Sequence, residues 1–298
     1  MELGILGLGK MGLGIATRLI KSGYTILGYD KNPDRCHMAR DKGIWCSEDL
    51  PSLAASLSAP RIVWLMLPAG QNTDEAIVAL SELLNRGDII IDGGNSRYRD
   101  TLSRAEKLQA AGISLLDVGV SGGVHGEDTG YCLMVGGDKT VFEHVEPLFR
   151  DLACSGGYAY LGPAGAGHFA KMVHNAIEYV FLQGLGEGFE LLQNSDYEYD
   201  LASVANLWNN GSVIRSWLLE LTAKVFQDSN DLGRVRGWIA DSGEARWAVE
   251  DALKRDVPLP ATAISLMMRL RSRQEDSFSA KLIAKLREAF GGHEVKIK

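Results

Sequence analysis

The chain has 298 residues, enough for two domains or one large one. Hydrophobic content of 46% and charged content of 23% are those of an ordinary globular protein. A net charge of −7 leaves no electrostatic footprint for nucleic acid or an anionic membrane, although a local cluster of Arg and Lys would still suit an anionic small molecule.

Met1 leads straight into the apolar strand pattern ELGIL, so the expectation is that no signal or transit peptide precedes the fold. No uninterrupted apolar run approaches the roughly 18 residues of a membrane span. Strand patterns follow at 2–6, 25–29, 62–67, 88–91, 113–118, 131–135 and 158–161. Helical patterns lie between them at 11–22, 34–42, 72–84, 98–111 and 140–150. This alternation predicts an α/β domain over residues 1–163, a Rossmann-type doubly wound sheet covered on both faces. Beyond GPAGAGH the strand signal stops. A long helix opening near Gly167 and further helices at 201–209, 216–227, 243–254, 261–271 and 278–290 predict an all-helical domain over 164–298.

Cys36, Cys46, Cys132 and Cys154 are scattered without a CxxC pair, which fits reduced thiols in a cytoplasmic protein. His37, His125, His144 and His168 are isolated. No metal-ligand spacing is present, and no metal is expected.

The first motif is GILGLGKMG, with Gly7, Gly9 and Gly12 in G-x-G-x-x-G spacing after a strand and before a helix. Gly7 permits the tight turn, Gly9 lets a pyrophosphate approach the backbone, and Gly12 allows close helix–sheet packing. Leu8, Lys10 and Met11 complete the loop, and the helix N-terminus faces the phosphates. The second strand ends at Asp30, where an acid holds the adenosine ribose and repels the extra phosphate of NADP. NAD is therefore the expected cofactor and NADP the weaker one, with Lys31 and Arg35 near enough in sequence to soften that preference.

The second motif is KMVHNAIEY. At about 100° per residue, Lys171, His174, Asn175, Glu178 and Tyr179 fall within roughly 140° of one helix face. Its continuation, VFLQGLGEGFELL, is apolar on nearly all sides, which predicts a buried helix rather than one with a solvated face. A buried Lys and Glu must be paired or used. Two glycine-rich stretches, IDGGNS around Asn95 and GVSGGVHGEDTG around Ser121, Gly122 and Gly123, offer amide, hydroxyl and backbone donors.

These stretches together resemble the β-hydroxyacid dehydrogenase superfamily, and within it the decarboxylating 6-phosphogluconate dehydrogenase family in its short form. GLGKMG, LMLPAG, DGGNS, VSGGVHGEDTG, GPAGAGHFAKMVHNAIEY and LREAFGGHEVK all match in order, over essentially the whole chain. The resemblance implies oxidative decarboxylation of 6-phosphogluconate, with Lys171 as general base and then acid and Glu178 as the acid that protonates the enediol. Members that only oxidise a β-hydroxy acid share the Lys and Asn but generally lack this Glu.

The same resemblance implies that Asn95, Ser121, Gly122, Gly123, His174 and Asn175 meet the substrate, and that Leu67, Pro68, Ala69 and Asn95 meet the cofactor. Tyr179, Arg246 and Arg269 match the family's phosphate contacts, although Arg269 competes with Arg271 and Arg273 in MMRLRSR. The long form has Lys where Arg246 stands and a hydroxyl where Ala248 stands, and it carries helices that this chain lacks. Arg287 and His293 match a C-terminal tail that completes a neighbouring subunit's site, which implies a homodimer or homotetramer. The rival reading is a non-decarboxylating dehydrogenase of the hydroxyisobutyrate or glyoxylate-reductase kind. Such small acids carry no phosphate for Arg246 to hold.

Overall fold

The computed structural model describes residues 1–228 and 232–297. Its first elements are β1 (Glu2–Leu6), α1 (Lys10–Lys21), β2 (Thr25–Tyr29), α2 (Pro33–Asp41), β3 (Trp45–Cys46), α3 (Leu50–Ser56), β4 (Ile62–Leu65), α4 (Gln71–Leu83), β5 (Ile89–Asp92) and α5 (Tyr98–Ala110). Next come β6 (Ser114–Ser121), α6 (Gly126–Thr129), β7 (Tyr131–Gly137), α7 (Lys139–Leu152), β8 (Ala153–Gly162) and the long α8 (Ala166–Gln193). Helices α9 (Leu201–Asn209), α10 (Trp217–Gln227), α11 (Glu244–Lys254), α12 (Pro260–Arg271) and α13 (Phe278–Gly291) follow. The chain divides into two compact units, Met1–His174 and Asn175–Lys298, and α8 belongs to both.

The first unit is built on one sheet in the order β3-β2-β1-β4-β5-β6-β7-β8. From β3 to β6 all neighbours are parallel. β7 runs antiparallel to β6, and β8 parallel to β7. Side chains alternate across the pleat, which explains the unbroken apolar runs IVWL and IIID. Leu3, Ile5, Trp64, Ile89 and Ile91 join Leu19 and Phe149 in a core on one face. Leu6, Val63, Leu65 and Ile90 join Leu53, Leu80 and Leu108 in a core on the other. The chain crosses over between β1 and β4, a topological switch point, and the loops at the carboxyl ends of those strands are where such sheets bind ligands.

Several elements differ from the sequence expectation. The strand β3 is too short to carry a pattern. Helix α3 is announced only by its cap, Asp49, whose side chain accepts from Ser52 N at 2.8 Å. β8 begins at Ala153 rather than Tyr158. Tyr131 pairs with Ala153 and Leu133 with Tyr158, so residues 154–157 enter the ladder as an irregularity that hides the strand period.

In the second unit Phe189, Ala205, Leu219 and Ala223 form a small core. The rings of Trp208 and Phe226 lie 5.5 and 5.1 Å from that of Phe189. The expectation that α8 is buried all round fails for its apolar side. Ile177 is 54% exposed and Phe181 50%, and no element among the described residues covers them. Helix α13 has no buried residue. Among the described residues no helix is long and apolar enough to cross a membrane.

Candidate active site

The glycine loop after β1 is fixed by two close approaches of backbone to backbone. Gly7 has φ +97°, and a Cβ there would lie 2.5 Å from the Met66 carbonyl oxygen. A Cβ on Gly12 would lie 1.9 Å from the Gly7 oxygen. Gly9 is different: only Arg35 Nη1, at 3.9 Å, comes within 4 Å of its missing Cβ. The protein itself therefore demands Gly7 and Gly12, whereas Gly9 keeps a surface clear, as a dinucleotide pyrophosphate requires. Gly9 caps α1 without a side-chain hydrogen bond, and the first turn holds no acid, so no carboxylate opposes an anion approaching the amides of Lys10 and Met11.

Asp30 is locked at the end of β2. Its Oδ2 accepts from Leu8 N at 2.8 Å and from Arg35 Nη1 at 3.2 Å, and its Oδ1 accepts from Asn32 N at 2.8 Å. Arg35 thus pairs with the acid itself, while Lys31 is directed to Glu75 at 4.0 Å. Leu67, Pro68 and Ala69 follow β4, where the Thr73 hydroxyl donates to Pro68 O at 2.9 Å. Asn95 follows β5, half-buried. These residues fit NAD: a clear glycine surface, free helix amides and a fixed carboxylate at the ribose position.

The N-terminus of α8 is docked tightly on the sheet. Buried Asp117 of β6 accepts from Gly165 N and His168 N, each at 2.8 Å, and so caps the helix from a neighbouring strand. His168 is buried, and its Nδ1 lies 2.8 Å from Thr101 Oγ1, so it is structural. A Cβ on Gly167 would lie 2.4 Å from both Asp117 O and Met134 O. One turn later, a Cβ on Gly119 would lie 2.5 Å from Lys171 Cβ, so only glycine there lets the lysine stem lie against β6. Ser121 ends the same strand, with Oγ 3.3 Å from His174 Nε2. Gly122 and Gly123 follow with φ +125° and +55°. Lys171, His174 and Ser121 are thereby gathered in the first unit.

The second unit gathers the rest of the helix face. Asn175 is buried, and its Nδ2 donates to Glu244 Oε1 at 2.7 Å. Glu178 is half-buried and, among the described residues, takes no hydrogen-bond or ion-pair partner. Tyr179 is buried with its hydroxyl 3.3 Å from Ser242 Oγ. Burial pushes its phenol pKa up, against the lowering pull of Ser242. The Arg269 guanidinium lies over the Tyr179 ring, 3.3 Å from its centroid, and donates to Ala240 O at 3.1 Å. Arg246 Nη2 donates to Asp241 Oδ2 at 2.9 Å. Burial works to raise the Asp241 pKa, yet the hydrogen bonds from Arg246 and Gly243 N and the nearby guanidinium charges hold it below the usual range.

Tyr179, Arg246 and Arg269 thus surround the loop at 240–243. Arg271 instead donates to Gln274 O, and Arg273 to Ile239 O. Arg287, in the last turns of α13, and His293, just beyond it, are both exposed. Glu244 and Asp117 were not singled out from the sequence. Both had a signal: Glu244 shares the helical stripe of Ala248 and Asp251, all buried, and Asp117 stands in the apolar run SLLDVGV. Among the described residues no cluster of three or more His, Cys, Asp or Glu side chains is placed to hold a metal.

A cradle of this kind at a parallel-sheet switch point, followed by a helical unit, defines a dinucleotide-binding dehydrogenase fold. Residues 2–162 match the family described as the NAD binding domain of 6-phosphogluconate dehydrogenase, and residues 167–289 match the 6-phosphogluconate dehydrogenase C-terminal domain. The chain belongs to the 6-phosphogluconate dehydrogenase family. It is 45% identical to a Bacillus subtilis protein provisionally called a 6-phosphogluconate dehydrogenase, over the full length of both. It is 40% identical to the NAD(+)-dependent, decarboxylating 6-phosphogluconate dehydrogenase of Haloferax volcanii, covering 100% of this chain and 99% of that one. The solved 6-phosphogluconate dehydrogenase of Plasmodium falciparum superposes with a TM-score of 0.85 at 27% identity, over 100% of this chain and 66% of that longer one. A 3-hydroxyisobutyrate dehydrogenase of Mycobacterium tuberculosis shares the fold, with a TM-score of 0.74 at 22% identity over 96% of this chain and 99% of that one.

Proposed function

We propose that the protein catalyses oxidative decarboxylation of 6-phosphogluconate to ribulose 5-phosphate and carbon dioxide, reducing NAD in preference to NADP. The observation that carries this reading is one helix, α8, presenting Lys171, His174, Asn175 and Glu178 at helical offsets in a chain of this family. Gly7, Leu8, Gly9, Lys10, Met11, Gly12, Asp30, Leu67, Pro68, Ala69 and Asn95 hold the nicotinamide dinucleotide, which when bound accepts the hydride from C3. Lys171 takes the proton of the 3-hydroxyl as that hydride leaves. When the C1–C2 bond breaks and carbon dioxide departs, its electron pair passes to the C2–C3–O3 unit, and the Lys171 ammonium returns its proton to O3. Glu178 then protonates the former C2, now C1 of the five-carbon enediol, while Lys171 takes the proton back from O3, so that ribulose 5-phosphate leaves as the ketone. Two groups in different surroundings, one base and one acid, divide the proton transfers.

His174, Asn175, Ser121, Gly122, Gly123 and Asn95 orient the carboxylate and hydroxyls. Tyr179, Arg246 and Arg269 take the phosphate. A guanidinium fork suits a phosphate well, and Arg246 exchanges its Asp241 oxygen for a phosphate oxygen. Arg287 and His293 act in a second copy's site within a homodimer or homotetramer. The bare helix α13, where Phe278 is 79% exposed and Phe290 77%, supports that docking. The free cysteines agree with a cytoplasmic enzyme. A functional division at 163/164 separates cofactor from phosphate binding.

Variants on α8 test the assignment. Lys171→Ala should lower kcat by roughly 10²–10⁴-fold. In Glu178→Gln, oxidation and decarboxylation should suffer less than the final protonation, read as carbon dioxide release running ahead of ribulose 5-phosphate. Near-intact turnover in Lys171→Ala, or unimpaired ribulose 5-phosphate release in Glu178→Gln, would remove the corresponding role.

A further inference from the structure

Arg104 stands on the buried stripe of α5, where Tyr98, Thr101 and Leu108 are the other inward positions. A guanidinium that is 4% exposed must be compensated, and here its limbs reach two separate parts of the sheet's carboxyl edge. Nε donates to Asp74 Oδ1 at 2.8 Å, and Nη2 to Gly70 O at 3.4 Å, both at the start of α4. Nη1 donates to Asp92 Oδ2 at 3.2 Å and to Ser96 Oγ at 3.0 Å, at the end of β5 and in the loop beyond it. Asp92, fully buried, extends the network: Gly94 N donates to its Oδ1 at 3.1 Å and Ser96 Oγ to its Oδ2 at 2.8 Å.

The two loops so joined are those that follow β4 and β5, neighbouring parallel strands on the ligand side of the switch point. They also touch directly. A Cβ on Gly94 would lie 2.6 Å from Leu67 O, so the loops approach as closely as backbone allows. Leu67, Pro68 and Ala69 lie on one loop and Asn95 on the other, and all four carry the cofactor in the reading given above. The strength of a buried ion pair lies in fixing one arrangement more than in adding stability.

We infer that Arg104 is a positioning residue for the cofactor, its buried guanidinium clamping the loops at 67–70 and 93–96 into one rigid rim. This rests on the proposed use of NAD. Lysine keeps the charge but cannot span both loops, since its ammonium is a point donor where the guanidinium is a planar fork.

The test is calorimetric titration of NAD into the protein without substrate, for the unaltered chain, Arg104→Lys and Asp74→Ala, with Tm recorded for each. Asp74 is 56% exposed, so its loss removes the shorter of the two α4 contacts while leaving Arg104 on Gly70 O, Asp92 and Ser96. The NAD Kd should rise roughly tenfold in both variants, a loss of about 1.4 kcal/mol of binding, with Asp74→Ala keeping its Tm nearly unchanged. Kd values within twofold of the unaltered chain in both variants, whatever the Tm, would reduce Arg104 to a structural residue and overturn the inference. No NAD binding by the unaltered chain would instead overturn the cofactor reading beneath it.

Discussion

At Asp30 three protein donors converge on one carboxylate, and that geometry bears on cofactor choice more than the glycines do. In the proposed mode of cofactor binding its negative charge is held where a ribose phosphate of NADP would sit, with Arg35 bonded to the acid rather than standing free. Asp30→Ala should therefore shift the ratio of kcat/KM for NAD over NADP toward NADP by at least about tenfold, since like-charge juxtaposition is costly. An unchanged ratio would move the selectivity elsewhere. Glu244 is a second residue with a definite expectation, because Asn175 donates to it inside a buried site. Glu244→Ala should lower kcat through a misplaced Asn175 and, by removing one buried hydrogen bond, cost about 0.5–1.5 kcal/mol of stability. Glu244→Gln should recover part of kcat, whereas a purely structural role would show only in Tm. That Lys171 and Glu178 share one helix face was legible in the sequence because their spacing is helical. Glu244 was not, because SGEARWA reads equally as a solvated first turn.

Helix α8 owes its place to features of β6 as much as to its own Gly167. Asp117 caps it, and Gly119 leaves room for the Lys171 stem. Asp117→Ala should lower stability by about 2 kcal/mol or more, because it removes a cap and strands two buried N–H groups. Denaturant unfolding measures that loss; a change under about 0.5 kcal/mol would show that water replaces the carboxylate. Gly119→Ala should displace the lysine and lower kcat while the fold persists. The strands and helices of the first unit were readable because β-runs alternate with 3.6-period stretches. The start of β8 was not, since C-S-G-G enters as a ladder irregularity and has no period to read. The antiparallel turn of β7 was equally hidden, because residue pattern does not encode strand direction. Arg104 was a missed sign: a charge on an otherwise apolar helical stripe.

On the scale of the whole molecule, the exposed apolar side of α8 and the bare α13 are what the sequence misread as a buried helix and matched as a reaching tail. Each is apolar, and neither is covered in one copy of the chain. Light scattering should give at least twice the 32.4 kDa chain mass, and Ile283→Glu should lower it. A monomer at micromolar concentration would remove the tail assignment for Arg287 and His293. In the proposed mechanism one helix face couples oxidation to decarboxylation. That coupling is tested most directly by supplying 6-phosphogluconate with NAD or NADP and following reduced cofactor and carbon dioxide together. Equal yields of both, with NAD the better acceptor, are predicted. Reduced cofactor without carbon dioxide, or no reduction with either cofactor, would contradict it.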